Sequence, residues 1–316
     1  MAGLIAVTGA TGFIGRRLVR SLKADPSVRL RLLLRRPDQA ATFAEQASEV
    51  VPGGLDDAGA LARLVDGADV VIHLAGAVAA RSRRAFFAIN ADATARLAGL
   101  AARRPRPPRF LLVSSLAARA PDLSAYAASK QAAEQAVAEA GGGLAWTIVR
   151  PPAVYGPGDR ATLPFFRAAS RGFVPILGRG DGRFSTLFVD DLAAAIATFT
   201  DESALDGRTV EIDDGAARGH DWPDMAQAAG DAVGRNVRAI PVPGVALLAA
   251  AAAAEAWRLL PLRPPVLSFG KMRELRHPDW VVRPGDLFDR TAWRPHVGLT
   301  SGMAETARWY RSNGWL

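Results

Sequence analysis

The first half of the chain is built from short apolar runs separated by stretches in which apolar residues recur at helical spacing. Residues 4–8, 28–34, 50–51, 70–74, 110–113 and 146–149 read as strands, most with too little alternation to leave one face in water. Residues 13–22, 57–65, 84–102 and 125–140 read as helices, and the glycines at 141–143 end the last of them. Strand and helix in alternation imply right-handed crossovers and a parallel sheet covered on both faces. After Arg150 prolines and glycines become frequent and the elements shorten. Strands are predicted at 210–212 and 237–240, and helices at 193–199, 222–233 and 301–312, with Asp190 and Asp191 expected as caps of the first of these. The predicted organisation is an α/β domain over residues 1–150 and a smaller, partly interleaved C-terminal lobe over 151–316.

The segment Thr8-Gly9-Ala10-Thr11-Gly12-Phe13-Ile14-Gly15 lies between the first strand and the first helix. Glycines at 9, 12 and 15 permit a tight turn, close backbone approach to a pyrophosphate, and close helix–strand packing. The helix N-terminus adds free N–H groups and partial positive charge. This predicts a Rossmann-type, doubly wound sheet that binds a dinucleotide. The second strand runs into Arg35 and Arg36, where an NAD site ordinarily places a ribose-binding acid. A carboxylate would repel a 2′-phosphate, whereas a guanidinium binds one through forked, charge-assisted bonds, so NADP(H) is the expected cofactor.

Ser114 and Ser115 follow the fifth strand, and Tyr126-Ala127-Ala128-Ser129-Lys130 opens the next helix. A phenol and an amine four residues apart share one helix face. The ammonium favours the phenolate, so the phenol can exchange a proton with a carbonyl or alcohol oxygen. A nearby serine hydroxyl can orient the same oxygen.

Here the sequence resembles the extended short-chain dehydrogenase/reductase family, in the branch of 3β-hydroxysteroid dehydrogenases and dihydroflavonol reductases. Further segments carry the likeness: His73-Leu74-Ala75-Gly76, Asn90 followed by Thr94, the turn from Arg150 to Gly158, and residues 184–192. The resemblance implies Ser115, Tyr126, Lys130 and Asn90 as the catalytic set. It also implies Ala75, Gly76, Leu55, Pro152 and Val154 as cofactor contacts, joining Gly9, Thr11, Gly12, Phe13, Ile14, Gly15, Arg35, Arg36, Tyr126 and Lys130, whose amine would hold the cofactor ribose. Two departures stand out. The family's Gly-Asp-Leu after the third strand reads Gly53-Gly54-Leu55-Asp56, and the segment between Ser115 and Tyr126 is short. Both lean towards reductases rather than nucleotide-sugar epimerases, which remain an alternative beside a non-catalytic, NADPH-binding assembly subunit like that of respiratory complex I.

Composition narrows the partners. Almost half the residues are apolar, about a fifth are charged, and the absence of cysteine excludes disulfides and thiolate metal sites. The four histidines (His73, His220, His277, His296) are not paired at ligand spacing, so no metal is expected. The net charge of +8 comes almost wholly from arginine. With no nucleic-acid module beside it, nucleic-acid binding is not expected. The uncharged run 239–254 falls short of the about 20 apolar residues of a membrane span, and the largely apolar stretch 243–262 overlaps it. It reads as a core or lid helix or as an interfacial one. A hydrophobic substrate such as a 3-keto sphingoid, ceramide or 3-keto steroid matches an apolar lid. Arg273, Arg276, His277 and Trp280 could meet lipid headgroups. No secretory signal precedes the first strand, so a cytoplasmic protein is expected, with peripheral contact at the inner face of the membrane as an option. The helices at 84–102 and 125–140 could pair in a homodimer, as the resemblance implies.

Overall fold

The computed structural model describes residues 3–43, 45–177, 180–258 and 264–316, so the end of the expected lid stretch, 259–262, lies outside the described residues. The chain divides into two compact units. The first comprises residues 1–150, 193–210 and 285–293, and the second 151–192, 211–284 and 294–316.

The first unit is organised by one sheet. Its strands are β1 (Leu4–Thr8), β2 (Arg29–Leu34), β3 (Glu49–Pro52), β4 (Val70–His73), β5 (Arg109–Val113), β6 (Trp146–Arg150) and β11 (Arg208–Glu211), and their order is β11-β6-β5-β4-β1-β2-β3. Strands β1 to β6 run parallel. All five residues of β1 and all four of β4 are buried, which is why their sequences do not alternate. Helices α1 (Phe13–Lys23), α2 (Ala58–Val65), α3 (Arg83–Phe87), α4 (Ala93–Ala102) and α5 (Ala125–Ala138) follow the strands. Leu61, Leu64, Leu97, Ala101 and Val137 from these helices pack on Phe110 and Leu112 of the sheet. The strand order reverses between β1 and β4, and a doubly wound sheet receives its ligand beyond the carboxyl ends of its strands at such a point.

Among its described residues the second unit has three short parallel pairs. They join β7 (Ala153–Tyr155) to β10 (Thr186–Phe188), β8 (Phe173–Ile176) to β12 (Arg238–Pro241), and β9 (Arg183–Phe184) to β13 (Asp279–Trp280). Its helices are α6 (Leu163–Ala169), α8 (Trp222–Val233), α9 (Gly244–Trp257), α10 (Phe269–Arg276) and α12 (Leu299–Ser312). Tyr155, Phe166, Phe188, Met303 and Tyr310 form its core. Helix α7 (Val189–Phe199) starts in the second unit and ends in the first, which also holds α11 (Leu287–Arg290).

Two expectations need correction. The helix expected over 84–102 is interrupted by a π turn, Ala88–Asp92, between α3 and α4. Asp190 and Asp191 are not caps but lie inside the first turn of α7. Asp191 is buried, and its Oδ2 accepts the backbone N–H groups of His296 (3.1 Å) and Val297 (2.8 Å). It ties α7 to the approach of α12, a demand from packing that no local signal announces.

Candidate active site

The glycine turn fits the pyrophosphate of a dinucleotide. Gly9 has φ +77°, and a Cβ there would stand 2.7 Å from the backbone nitrogen of Ala75. A Cβ at Gly15 would overlap the Gly9 carbonyl oxygen and reach within 2.7 Å of Ala10 Cα, so α1 lies against the turn only because position 15 has no side chain. Gly12 is the N-cap of α1, no side chain caps that end, and its first turn carries no acid. The N–H groups and positive end of the helix are thus kept for an anion. Thr11 belongs to the turn, and its carbonyl accepts Arg16 Nε at 3.0 Å.

The other expected cofactor residues of the first unit share this sheet edge. Thr8 is in register with Leu33, so Arg35 and Arg36 leave the sheet beside the turn. Both are exposed, and among the described residues neither forms an ion pair. Leu55 follows β3, half-buried, and its carbonyl accepts Arg96 Nη2 at 3.4 Å. Of the neighbouring acids, Asp56 is exposed and Asp57 caps α2 through Ala60 N. Ala75 and Gly76 follow β4. Pro152 and Val154 belong to the second unit, where Val154 is in register with Leu187 on β10.

Helix α5 starts at a cap in which Ser124 Oγ accepts Ala127 N at 2.9 Å. Tyr126 is half-buried, with its ring edge-on to Phe86 at 6.2 Å between centroids. One turn later Lys130 is buried and donates from Nζ to the Val113 carbonyl at 2.8 Å. Burial pushes its ammonium down to about 8, with the Glu134 carboxylate opposing the shift. Ser115 Oγ accepts Ala117 N at 3.2 Å and so caps the turn Leu116–Arg119, which leaves its own hydrogen to donate.

Asn90 sits in the π turn and is buried. Its Oδ1 accepts Ala77 N at 2.7 Å, and its Nδ2 donates to Ala77 O at 3.1 Å and to Ser129 Oγ at 2.9 Å. Ser129 Oγ in turn donates to the Tyr126 carbonyl at 2.7 Å. Asn90 therefore clamps the loop after β4 to the first turn of α5. A Cβ at Gly76 would stand 3.1 Å from Asn90 Oδ1 and 3.8 Å from Lys130 Nζ, so the Gly76 backbone, Asn90 and Lys130 meet at one point.

Beneath them runs a buried chain that fixes a tautomer. Thr94 Oγ1 donates to the Asn90 carbonyl at 2.5 Å, so it accepts from His73 Nε2 at 3.0 Å. His73 Nδ1 is then the acceptor of Thr8 Oγ1 at 2.6 Å, and Thr8 Oγ1 accepts Ala75 N at 3.2 Å. Burial, with the nearby Lys130 charge second, drives the imidazole down to about 3. Residues of the glycine turn and of the active-site helix are linked through one neutral histidine.

Sequence reasoning missed Glu134 and the part Arg150 plays with it. They form a paired contact of 2.6 Å between Nη2 and Oε2, and Ser114 Oγ also donates to Glu134. A signal was present, since Tyr126, Lys130 and Glu134 recur every four residues on one face. Among the described residues no group of three or more acidic or histidine side chains is placed to hold a metal ion.

A sequence profile described as the NAD dependent epimerase/dehydratase family matches residues 5–212, a span that contains every element of this site in the first unit. The chain belongs to that family. It is an extended short-chain dehydrogenase/reductase, and the cofactor of the family is a nicotinamide dinucleotide. A protein of Caulobacter vibrioides named ceramide reductase is 42% identical over 315 residues, covering 99% of this chain and 96% of that one. NADH dehydrogenase (ubiquinone) 1 alpha subcomplex subunit 9 of Arabidopsis thaliana is 30% identical over 220 residues, 67% of this chain and 54% of that protein. Among solved structures, the dTDP-glucose 4,6-dehydratase of Bacillus anthracis in complex with NAD has a TM-score of 0.75 at 16% identity, covering 99% of this chain and 98% of that one. At that identity the likeness is one of fold.

Proposed function

We propose that the chain is an NADPH-dependent reductase acting on the ketone of a ceramide-type or 3-keto sphingoid lipid. The observation that carries this reading is the end-to-end likeness, at 42% identity, to the protein named ceramide reductase. The side chains around Tyr126 suit the chemistry. A bound reduced nicotinamide supplies the hydride for the carbonyl carbon. The Tyr126 hydroxyl gives its proton to the carbonyl oxygen, and Ser115 Oγ, whose acceptor side is already used by Ala117 N, donates to the same oxygen. Lys130 stabilises the phenolate left behind, and Asn90 holds the turn of α5 that carries Tyr126. One ketone, one hydride and one proton give one secondary alcohol. Arg35 and Arg36, exposed and without ion-pair partners among the described residues, support NADPH over NADH.

The test is direct. Purified protein given NADPH and a 3-ketoceramide in detergent is expected to oxidise the cofactor and yield the alcohol, detected by mass spectrometry. Tyr126→Phe is expected to lose about 100-fold or more of that rate. An unreduced ketone, or a Tyr126→Phe protein as active as wild type, overturns the proposal.

A further inference from the structure

Helix α9 is unusual for a surface element. Its fourteen residues, GVALLAAAAAAEAW, contain a single charge, yet only Leu247, Ala251 and Ala254 turn into the protein. The rest of its circumference is mostly exposed, with Val245 at 80% and Leu248 at 50%. A solvated helix normally shows a charged outer face. The neighbouring chain adds to the patch. Of the eight exposed large apolar side chains among the described residues, six fall between positions 240 and 269: Ile240, Val245, Leu248, Trp257, Val266 and Phe269. The last three gather at one end, because Arg258 Nη2 donates to the Pro265 carbonyl at 3.3 Å and Phe269 N donates to Glu255 at 3.4 Å.

The charges around this face are one-sided. Residues 235–277 include seven basic and only two acidic residues. Both acids are neutralised locally, Glu255 by Arg258 at 3.5 Å and Glu274 by Lys271 at 2.8 Å. Arg238 on β12, with Arg273 and Arg276 on α10, which packs against α9, is exposed. A helix of this length is about 21 Å long, and no helix among the described residues is long and apolar enough to cross a membrane. An apolar helix face bordered by cationic side chains, with a tryptophan at its end, matches the boundary between acyl chains and headgroups of an anionic bilayer.

We infer that α9 and the start of α10 form a docking surface for an anionic phospholipid membrane, with the helix lying flat and the arginines at the headgroups. This goes beyond the reading of the catalytic centre, and the two can fail separately. The full-length protein is mixed with vesicles of phosphatidylcholine containing phosphatidylglycerol, or of phosphatidylcholine alone, and separated by flotation. The expected result is flotation with the anionic vesicles, weakened by salt. Val245→Asp combined with Leu248→Asp is expected to lower partitioning roughly tenfold or more while near-ultraviolet circular dichroism and melting stay those of wild type. Arg238→Glu with Arg276→Glu is expected to abolish the preference for phosphatidylglycerol. The inference is overturned if the wild type does not float, or if the folded double-aspartate protein floats equally well. It is also overturned if the face proves to hold a second copy, seen as a dimer that the aspartates dissolve without any vesicle binding. Oxidation of NADPH with a short-chain, water-soluble ketone, measured without vesicles, reports the catalytic reading on its own.

Discussion

Glu134 accepts both arms of the Arg150 guanidinium, at 2.9 Å from Nε and 2.6 Å from Nη2, and the Ser114 hydroxyl at 2.5 Å. The pair joins α5 to the carboxyl ends of β5 and β6, one helical turn beyond the Lys130 amine. Such a bidentate bond fixes orientation as well as distance.

Replacing Glu134 by Gln is expected to act twice. It leaves Arg150 without its counter-charge, at a cost of about 3 kcal/mol, the low end for a broken buried pair because the arginine is partly exposed. It also removes the group that holds the Lys130 ammonium up against burial. The amine then loses its proton at lower pH, and the falling alkaline limb of kcat/KM for NADPH moves to lower pH. Denaturant unfolding and the pH profile of the two proteins check the two effects separately. An unmoved limb in a folded variant would remove Glu134 from any part in tuning Lys130.

The buried His73 leads to a prediction of opposite sign in acid. Its folded value is about 3 against 6.5 in the unfolded chain, so the unfolded state takes up a proton that the fold refuses. The stability this contributes is complete above about pH 6.5 and is lost as pH falls towards 3. Nitrogen-15 spectra are expected to show the Nε2–H tautomer with no titration down to about pH 4, whereas signals that move near 6.5 would contradict the hydrogen-bond chain. His73→Leu, which takes the acceptor from the Thr8 hydroxyl and the donor from Thr94 Oγ1 while their bonds to Ala75 N and the Asn90 carbonyl remain, is expected to cost about 1–3 kcal/mol.

Arg35→Ala is expected to raise KM for NADPH by about 10–100-fold, the value of one or two charge-assisted bonds, with KM for NADH nearly unchanged. Steady-state kinetics with both cofactors decide it. Equal effects on the two would place the arginine away from the 2′-phosphate.

Where local chemistry dictates structure, the sequence was legible. The helix expected at 222–233 occupies those residues, because Asp221 and Asp224 close a capping box at one end and Gly234 takes φ +72° at the other. The glycine turn was legible because Gly9 and Gly15 have no room for a Cβ. The Tyr126–Lys130 pair was legible because one helical turn sets its geometry by itself. What escaped depends on partners distant in sequence. Asp191 looks like a cap until the backbone at 296–297 is brought to it, and His73 is an ordinary strand residue until Thr94 arrives from a helix. The break near Asn90 is likewise hidden, since its residues all suit an unbroken helix.

That break carries a constraint on how the protein can vary. A π turn is an α-helix with one residue too many, taken up locally so that the helix before and after it keeps the same face. Deleting one residue from Ala88–Asp92 would let a regular helix run through with Leu97, Ala98 and Ala101 still facing the packed interior, and would remove the wide turn that aims the amide of Asn90 at Ala77 and Ser129. The surplus residue serves the Asn90 amide, and losing it would spare the packing of the helix while undoing that clamp.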